Sequence, residues 1–189
     1  MSSNISLKGE TALVVGGSRN IGLSIAAALQ NAGAAVCIVG GSDHAALEAA
    51  LKKLSNSDGQ AIGLISDTSD EAAVSNAFEA CEKAFGPVSV IVNGPGFRPH
   101  ANLTDINLET WNAVMTVMLT GPFLTCRELF RRLPPERKGA IVNLGGLSAH
   151  RPAKGRAHVI AAKAGIVGLT RALAAEGAGR IRANCVVPG

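Results

Sequence analysis

The chain has 189 residues and contains no tyrosine, one tryptophan and five phenylalanines. Proteins that hold single-stranded nucleic acid stack its bases on aromatic side chains, so a sequence this poor in aromatics is not expected to bind nucleic acid. No apolar run approaches the roughly 20 residues that span a membrane. The first nine residues show neither the basic nor the apolar region of a secretory signal. We therefore expect a cytoplasmic protein with no membrane partner.

Cysteine pairs and metal-ligand spacings are missing as well. The four cysteines occur singly and form no C-x-x-C, which favours buried, reduced thiols in a cytoplasmic protein. His44 and His100 have no neighbour at the spacing of a metal site. We therefore predict no bound metal.

Charge is unevenly distributed along the chain. The net charge is +4, but residues 1–97 carry 5 Lys or Arg against 9 Asp or Glu, whereas residues 98–189 carry 13 against 5. The basic half indicates either an anionic partner or ordinary solvated helix faces. With 47% hydrophobic and 17% charged residues, the chain is predicted to fold as a single domain over residues 1–189.

Short apolar runs alternate with helical patterns. Strands are predicted at 12–15, 35–39, 61–65, 88–92, 140–144 and 182–187, and helices at 21–32, 44–54, 70–85, 108–133 and 157–178. This alternation predicts an α/β fold, a doubly wound parallel sheet of Rossmann type with strand order 3-2-1-4-5-6. Pro122 lies inside the fourth helix, so we expect that helix to be kinked or split.

The first strand ends in a glycine turn, residues 16–22, that opens the first helix. This arrangement holds the pyrophosphate of a dinucleotide at a helix N-terminus. Gly16 would permit the tight turn, Asn20 tolerates a left-handed backbone, and Gly22 would let the helix pack close to its strand. The spacing is not G-x-G-x-x-G, so the turn alone is also compatible with an ordinary strand-to-helix connection. Glycine recurs, however, at the ends of strands one, two, four, five and six, which favours a long ligand lying across them.

These segments resemble the short-chain dehydrogenase/reductase family, and in particular its 3-oxoacyl-carrier-protein reductases. The resemblance rests on residues 12–22, on residues 161–174, which match the active-site helix, and on residues 184–189, which match the segment beside the nicotinamide. It implies an NAD(P)(H)-binding oxidoreductase for a carbonyl, alcohol or acyl substrate, and a homo-oligomer built through the helices at 108–133 and 157–178. It places cofactor contacts at Gly16, Ser18, Arg19, Asn20, Ile21, Gly22, Ser42, Asp67, Asn93, Gly94, Lys163, Pro188 and Gly189.

The catalytic positions depart from that family. Its tyrosine, four residues before Lys163, corresponds to Val159 here. Its serine corresponds to Gly146 and its asparagine to Met118. No shift of the alignment restores the tyrosine because the chain has none, and the missing acid/base assistance is typically worth roughly 10²–10⁴-fold in rate. Lys163 alone remains, either as a ligand of the cofactor ribose or as an ordinary helix-surface lysine.

Several side chains could replace the missing groups. His158 adjoins the vacant tyrosine position and histidine transfers protons near neutral pH, but one residue along a helix turns the side chain by about 100°, so capping or packing is the alternative. Ser148 could donate a hydrogen bond or be a plain loop serine. A basic loop would overlook the substrate mouth and attract a carboxylate, a phosphate or an acidic carrier protein, unless it is merely solvated. Its basic residues are His150, Arg151, Lys154 and Arg156.

Cofactor choice and function follow from these observations. No acid follows the second strand until Asp43, and Arg19 could face a 2′-phosphate, so NADP(H) is favoured over NAD(H). The chain ends at Gly189, before the family's substrate loop and seventh strand, which predicts a pocket without a lid and an exposed sheet edge. Three functions stay open: an oxidoreductase with a non-standard proton donor, a non-catalytic NAD(P)-binding sensor or structural subunit of a mixed oligomer, and a lyase or isomerase without hydride transfer.

Overall fold

The computed structural model describes residues 5–55, 60–151 and 153–188. Within these ranges six strands form one parallel sheet in the order β3-β2-β1-β4-β5-β6. The strands are β1 (Thr11–Val15), β2 (Ala35–Gly40), β3 (Ala61–Ile65), β4 (Val88–Asn93), β5 (Gly139–Leu144) and β6 (Ile181–Val186). The predicted fold class and strand order are confirmed, and each predicted strand end lies within one residue of the observed one.

Helices connect successive strands and cover both faces of the sheet. They are α1 (Asn20–Asn31), α2 (His44–Leu54), α3 (Glu71–Phe85), α4 (Leu108–Met115), α5 (Gly121–Arg132) and α6 (Ala157–Glu176). In β1, Leu13 belongs to a core with α3, α5 and α6, whereas the next residue, Val14, belongs to a core with α1 and α2. Successive strand residues face opposite sides of a sheet, so burial on both faces accounts for the continuous apolar runs of the sequence.

The fourth predicted helix is divided. A π-helical turn, Thr116–Thr120, joins α4 to α5, and Pro122 stands in the first turn of α5. Proline has no N–H to donate to the carbonyl four residues earlier, here that of Met118. The regular ladder is therefore interrupted at Met118, as the position of Pro122 predicted.

Helix α6 is long and apolar enough to cross a membrane by length and composition. In the fold, however, it packs against β5, β6, α4 and α5, and its buried side includes Lys163 and His158. This packing buries 39% of the most apolar window of the helix.

Candidate functional site

A groove runs across the carboxyl ends of the strands, where doubly wound sheets bind their ligands. It consists of two cavities that share Gly16, Pro95 and Gly96. The first cavity, about 510 Å³, lies over the ends of β1, β2 and β3, and the second, about 640 Å³, extends over the ends of β4, β5 and β6. Their combined length across the sheet fits an elongated ligand better than a compact one.

The glycine turn forms the middle of the groove and requires its unusual residues. Gly16 has φ +75°, and a Cβ there would lie 2.6 Å from the carbonyl oxygen of Gly94. A Cβ on Gly22 would collide with the carbonyl oxygen of Gly16. Asn20 has φ +47°, in the left-handed region that asparagine tolerates. The three roles predicted for this turn therefore agree with its geometry.

The N-terminus of α1 points its first N–H groups at this turn without a side-chain cap. Arg19 occupies the cap position in an extended conformation and makes no side-chain hydrogen bond to the helix, and the first turn carries no acidic residue. An uncapped N-terminus has unpaired N–H groups and the positive end of the helix dipole. This part of the groove therefore suits a pyrophosphate, and Ser18, Arg19, Asn20 and Ile21 all line it.

The sequence suggested that Arg19 could face a 2′-phosphate, but in the structure its side chain already has a partner. Its guanidinium forms an ion pair with the carboxylate of Asp43. The other carboxylate oxygen of Asp43 accepts a hydrogen bond from the backbone N–H of Ala46 at 2.9 Å and so caps α2. The one cation expected to read a 2′-phosphate is therefore already paired with an acid.

The predicted contacts Ser42 and Asp67 both line the first cavity. The backbone N–H and the hydroxyl of Ser69 donate to the same Asp67 oxygen, at 2.9 and 2.6 Å. These two hydrogen bonds hold the pKa of Asp67 below its usual value. Asp67 is therefore a fixed, ionised acceptor at this end of the groove.

Asn93 is the member of the predicted set whose side chain turns away from the groove. It is 2% exposed and belongs to a buried hydrogen-bond chain that connects four side chains. The Thr125 hydroxyl donates to Asn93 Oδ1 at 2.8 Å, Asn93 Nδ2 donates to Asn143 Oδ1 at 2.9 Å, and Asn143 Nδ2 donates to Thr170 Oγ1 at 2.9 Å. Asn93 thus fixes the end of β4 between α5 and α6, and its neighbour Gly94 is the residue that lines the groove.

Lys163 lies in the second cavity and is 8% exposed. Its ammonium donates to the carbonyl oxygen of Leu144 at 2.6 Å. Burial, reinforced by the positive charge of Arg98, lowers the pKa of Lys163 to about 8. An ammonium has three donors, so after the bond to Leu144 two remain for a ligand. A surface role for this lysine is excluded by its burial.

The residues at the family's vacant catalytic positions surround Lys163. Val159 and Gly146 both line the second cavity, and a Cβ on Gly146 would lie 3.7 Å from Lys163 Cγ. Met118 packs with Val159 in a buried apolar cluster, on the π-helical turn. None of these three positions beside Lys163 therefore carries a side chain that can donate a hydrogen bond or transfer a proton.

His158 does not face the groove. Its side chain is completely buried, it lines neither cavity, and neither ring nitrogen has a hydrogen-bond partner among the described residues. The rotation between neighbouring helix positions directs Val159 into the groove and His158 away from it. This placement argues against His158 as the replacement proton donor.

One residue of the second cavity escaped the sequence analysis. Arg98 lines it together with Ser148 and Lys163. Arg98 lies five residues after the end of β4. Because the carboxyl end of β4 borders the groove, the sequence could have marked Arg98 as a groove residue. Pro188, a predicted cofactor contact, lines the same cavity, whereas the predicted contact Gly189 lies outside the described residues.

Comparisons with known proteins agree with this geometry. The family model of the short chain dehydrogenases matches residues 10–189. The chain is 35% identical over 185 residues to the 3-oxoacyl-[acyl-carrier-protein] reductase FabG of Chlamydia trachomatis, covering 97% of this chain and 74% of that protein. It is 38% identical over 128 residues to the inactive 2-(S)-hydroxypropyl-CoM dehydrogenase 2 of Xanthobacter autotrophicus, covering 67% of this chain and 56% of that protein.

A solved structure matches equally well. A dehydrogenase/reductase from Sinorhizobium meliloti 1021 superposes with a TM-score of 0.93 at 33% identity, covering 98% of this chain and 74% of that one. The fold and the groove define a protein of the dinucleotide-binding α/β class. The chain belongs to the short-chain dehydrogenase family, whose members are NAD(P)-binding oxidoreductases.

Proposed function

We propose that this chain binds NADP(H) in the groove and catalyses hydride exchange with a carbonyl or alcohol substrate, using Lys163 in place of the missing tyrosine and serine. The observation that carries the proposal is the buried ammonium of Lys163 in the second cavity, next to Val159 and Gly146. We place the reaction in the cytoplasm.

The groove residues fit the cofactor. The uncapped N-terminus of α1 would hold the pyrophosphate. The backbone contacts of Gly16 and Gly22 admit no side chain at either position, so neither residue obstructs the pyrophosphate. The adenosine would occupy the first cavity beside Asp67, and the nicotinamide would occupy the second beside Pro188. The bound cofactor supplies or accepts the hydride.

Lys163 is the residue we assign to proton transfer. General acids work best when their pKa is near the operating pH, and the pKa of Lys163 is lowered to about 8. Its bond to the Leu144 carbonyl holds the ammonium in place, while a second N–H would reach the substrate oxygen. The positive charge would also stabilise negative charge that develops on that oxygen.

A second candidate function is a non-catalytic NAD(P)-binding sensor or a structural subunit of a mixed oligomer. Val159 and Gly146 supply no hydroxyl to the cavity. A relative covering two thirds of this chain is named as an inactive dehydrogenase.

Homo-oligomerisation stays a prediction, checked by light scattering of the purified protein.

Turnover in wild type and variants distinguishes these functions. NADPH binding is measured by fluorescence titration, and NADPH oxidation is measured over a panel of ketones. We expect Lys163→Met to abolish turnover in an active wild type. Lys163→Arg keeps the charge but cannot lose a proton in this pH range. It should bind NADPH as well as or better than Lys163→Met and should leave turnover low.

A gain-of-function pair tests the vacant positions. The double variant Gly146→Ser with Val159→Tyr should raise turnover by roughly 10²–10⁴-fold, because it supplies the two absent hydroxyls beside Lys163. The matched control is Gly146→Ser with Val159→Phe, which has the same ring without the hydroxyl. NADPH binding with no wild-type turnover, and turnover in the tyrosine variant alone, would support the second candidate. Failure of wild type to bind either cofactor would contradict both.

A further inference from the structure

A side cavity of about 380 Å³ opens next to the second cavity. It is lined by Arg98, Ser148, Ala153, Arg156 and Val159. Three of these residues, Arg98, Ser148 and Val159, also line the second cavity. The two spaces are therefore adjacent parts of one depression, in which Lys163 lines only the second cavity, Arg156 lines only the side cavity, and Arg98 lines both.

The side cavity carries positive charge that no carboxylate neutralises. Among the described residues, neither Arg98 nor Arg156 forms an ion pair, and the residues that line the two spaces include no Asp or Glu. Elsewhere in the described chain, arginines such as Arg132 and Arg137 are paired with glutamates. The positive charge of Arg98 also acts on Lys163, whose pKa it lowers.

The two loops that present these arginines are fastened to each other. The Arg156 guanidinium donates to the carbonyl oxygen of Arg98 at 2.8 Å. The backbone N–H of Ala101 donates to the carbonyl oxygen of Gly155 at 3.1 Å. Gly155 has φ +67°, and a Cβ there would collide with the ring of His100. These contacts hold the two loops together and fix the Arg156 guanidinium relative to the Arg98 backbone, which lowers the entropy that this part of the cavity loses when a ligand binds.

We propose that the side cavity is a carboxylate-binding subsite, so that the substrate is a small oxo acid or hydroxy acid. Its carboxylate lies between Arg98 and Arg156, and its carbonyl or hydroxyl carbon lies towards Lys163. Guanidinium groups bind carboxylates through paired, charge-assisted hydrogen bonds. A volume of about 380 Å³ admits a small acid, and its concave shape fits a small molecule better than the surface of a carrier protein. This inference specifies the substrate class of the proposed function and rests on it for the assignment of the reacting carbon.

The test measures binding and does not depend on turnover. The probes are acetoacetate and its neutral counterpart methyl acetoacetate, each titrated calorimetrically into the protein alone and into protein saturated with NADP⁺, which has no hydride to transfer to the oxo acid. Acetoacetate should bind at least about tenfold more tightly than the ester. Arg98→Gln should weaken acetoacetate binding by roughly tenfold or more, the usual effect of losing a hydrogen bond to a charged group, and leave the ester unchanged. Arg156→Gln should weaken acetoacetate binding as much, and any loss of ester binding in this variant measures the contact to the Arg98 carbonyl that it also removes.

Arg151→Gln is the matched control, because Arg151 is an exposed arginine of the same basic loop that does not line the side cavity. The affinity of Arg151→Gln for acetoacetate should stay within about twofold of wild type. If Arg151→Gln and Arg98→Gln lose the same affinity, acetoacetate is held by the summed positive charge of the loop and the subsite is overturned. Equal affinity for acid and ester, or an acid affinity unchanged by Arg98→Gln, would also overturn it. Arg98 is exposed, so its variant should fold, and a thermal melt verifies this.

The two proposals fail separately. If NADPH does not bind but acetoacetate binding depends on Arg98, the carboxylate subsite holds and the proposed oxidoreductase function fails. If NADPH binds but acetoacetate does not, the cofactor groove holds and the subsite is wrong. An acidic carrier protein is also titrated against bound acetoacetate. If it displaces acetoacetate from wild type but not from Arg151→Gln, the anion is held by the basic loop, and the cavity is not the anion site.

Discussion

At the scale of single residues, two neighbouring positions of α6 have opposite surroundings. Val159 faces the groove, where its family counterpart is a tyrosine, and His158 is buried with both ring nitrogens unpartnered among the described residues. Leaving a buried polar group without a hydrogen bond costs about 1–3 kcal/mol. We therefore expect the buried imidazole of His158 to lower the free energy of unfolding.

Replacing His158 by an apolar residue of similar size should stabilise the protein. We expect His158→Leu to raise the free energy of unfolding by about 1–2 kcal/mol, measured by urea titration, with NADPH binding unchanged. His158→Ala is the control, because it removes the same polar atoms but leaves a cavity whose cost offsets the gain. A loss of stability in His158→Leu as large as in His158→Ala would show that the ring has a partner or a ligand.

Lys163 gives the stability of the protein a specific pH dependence. Its pKa is lowered in the folded state from 10.5 to about 8, chiefly by burial. Between these two values the unfolded chain binds the proton that the folded protein has released, so stability increases as pH rises through this window. Below pH 8 both states are protonated and the burial of the charge is fully destabilising.

Lys163→Met should remove this pH dependence. Because the wild type alone gains stability over this window, the unfolding free energy of the variant relative to wild type should fall by about 2–3 kcal/mol from pH 7 to pH 10. Urea titrations at matched ionic strength over that range measure it. A constant difference would mean that the lysine keeps its ordinary pKa and is not the proton donor we propose.

At the scale of elements, the N-termini of α1 and α2 are linked by the Arg19–Asp43 ion pair. Asp43 has two roles, since one carboxylate oxygen caps α2 and the other binds Arg19. Both side chains are about half exposed, and exposed ion pairs contribute little to stability. We therefore expect the pair to act chiefly on the charge that Arg19 presents to the second cavity, which it lines.

Asp43→Asn should increase the preference for NADPH over NADH. The amide oxygen retains the cap on α2, while the loss of the negative charge releases Arg19 to pair with a 2′-phosphate. We expect NADPH affinity to rise by about three- to tenfold and NADH affinity to stay within about twofold. Fluorescence titrations with both cofactors measure the ratio.

Asp70→Asn is the matched control for this variant. Asp70 caps α3 in the same way, through a bond from the Ala73 N–H at 2.7 Å, and makes no ion pair among the described residues. It should leave both affinities unchanged. Arg19→Gln should remove the NADPH preference, and a preference that survives in this variant would assign the 2′-phosphate to another cation.

At the scale of the whole molecule, the sequence predicted the sheet and the middle of the groove better than the catalytic wall. Strands buried on both faces read as unbroken apolar runs, so β1 to β6 were found within one residue. Gly16 and Gly22 are required by backbone contacts alone, and the glycine pattern reveals such contacts. The Arg19–Asp43 pair, the burial of His158 and the proximity of Arg98 to Lys163 depend on side-chain directions and on loops from distant parts of the chain. No local pattern encodes these, which is why the sequence left the surroundings of Arg19 and His158 open and did not single out Arg98.

The hydrogen-bond chain from Thr125 to Thr170 has a consequence for how the molecule opens. Thr170 donates its only proton to the Ile166 carbonyl at 2.7 Å, so it can only accept from Asn143, and this fixes the orientation of both amides. Turning either amide over would bring two donors or two acceptors together in a dry interior. Local unfolding that separates β4 from β5 is therefore disfavoured, and the floor of the second cavity should exchange its amide hydrogens only when the whole domain unfolds.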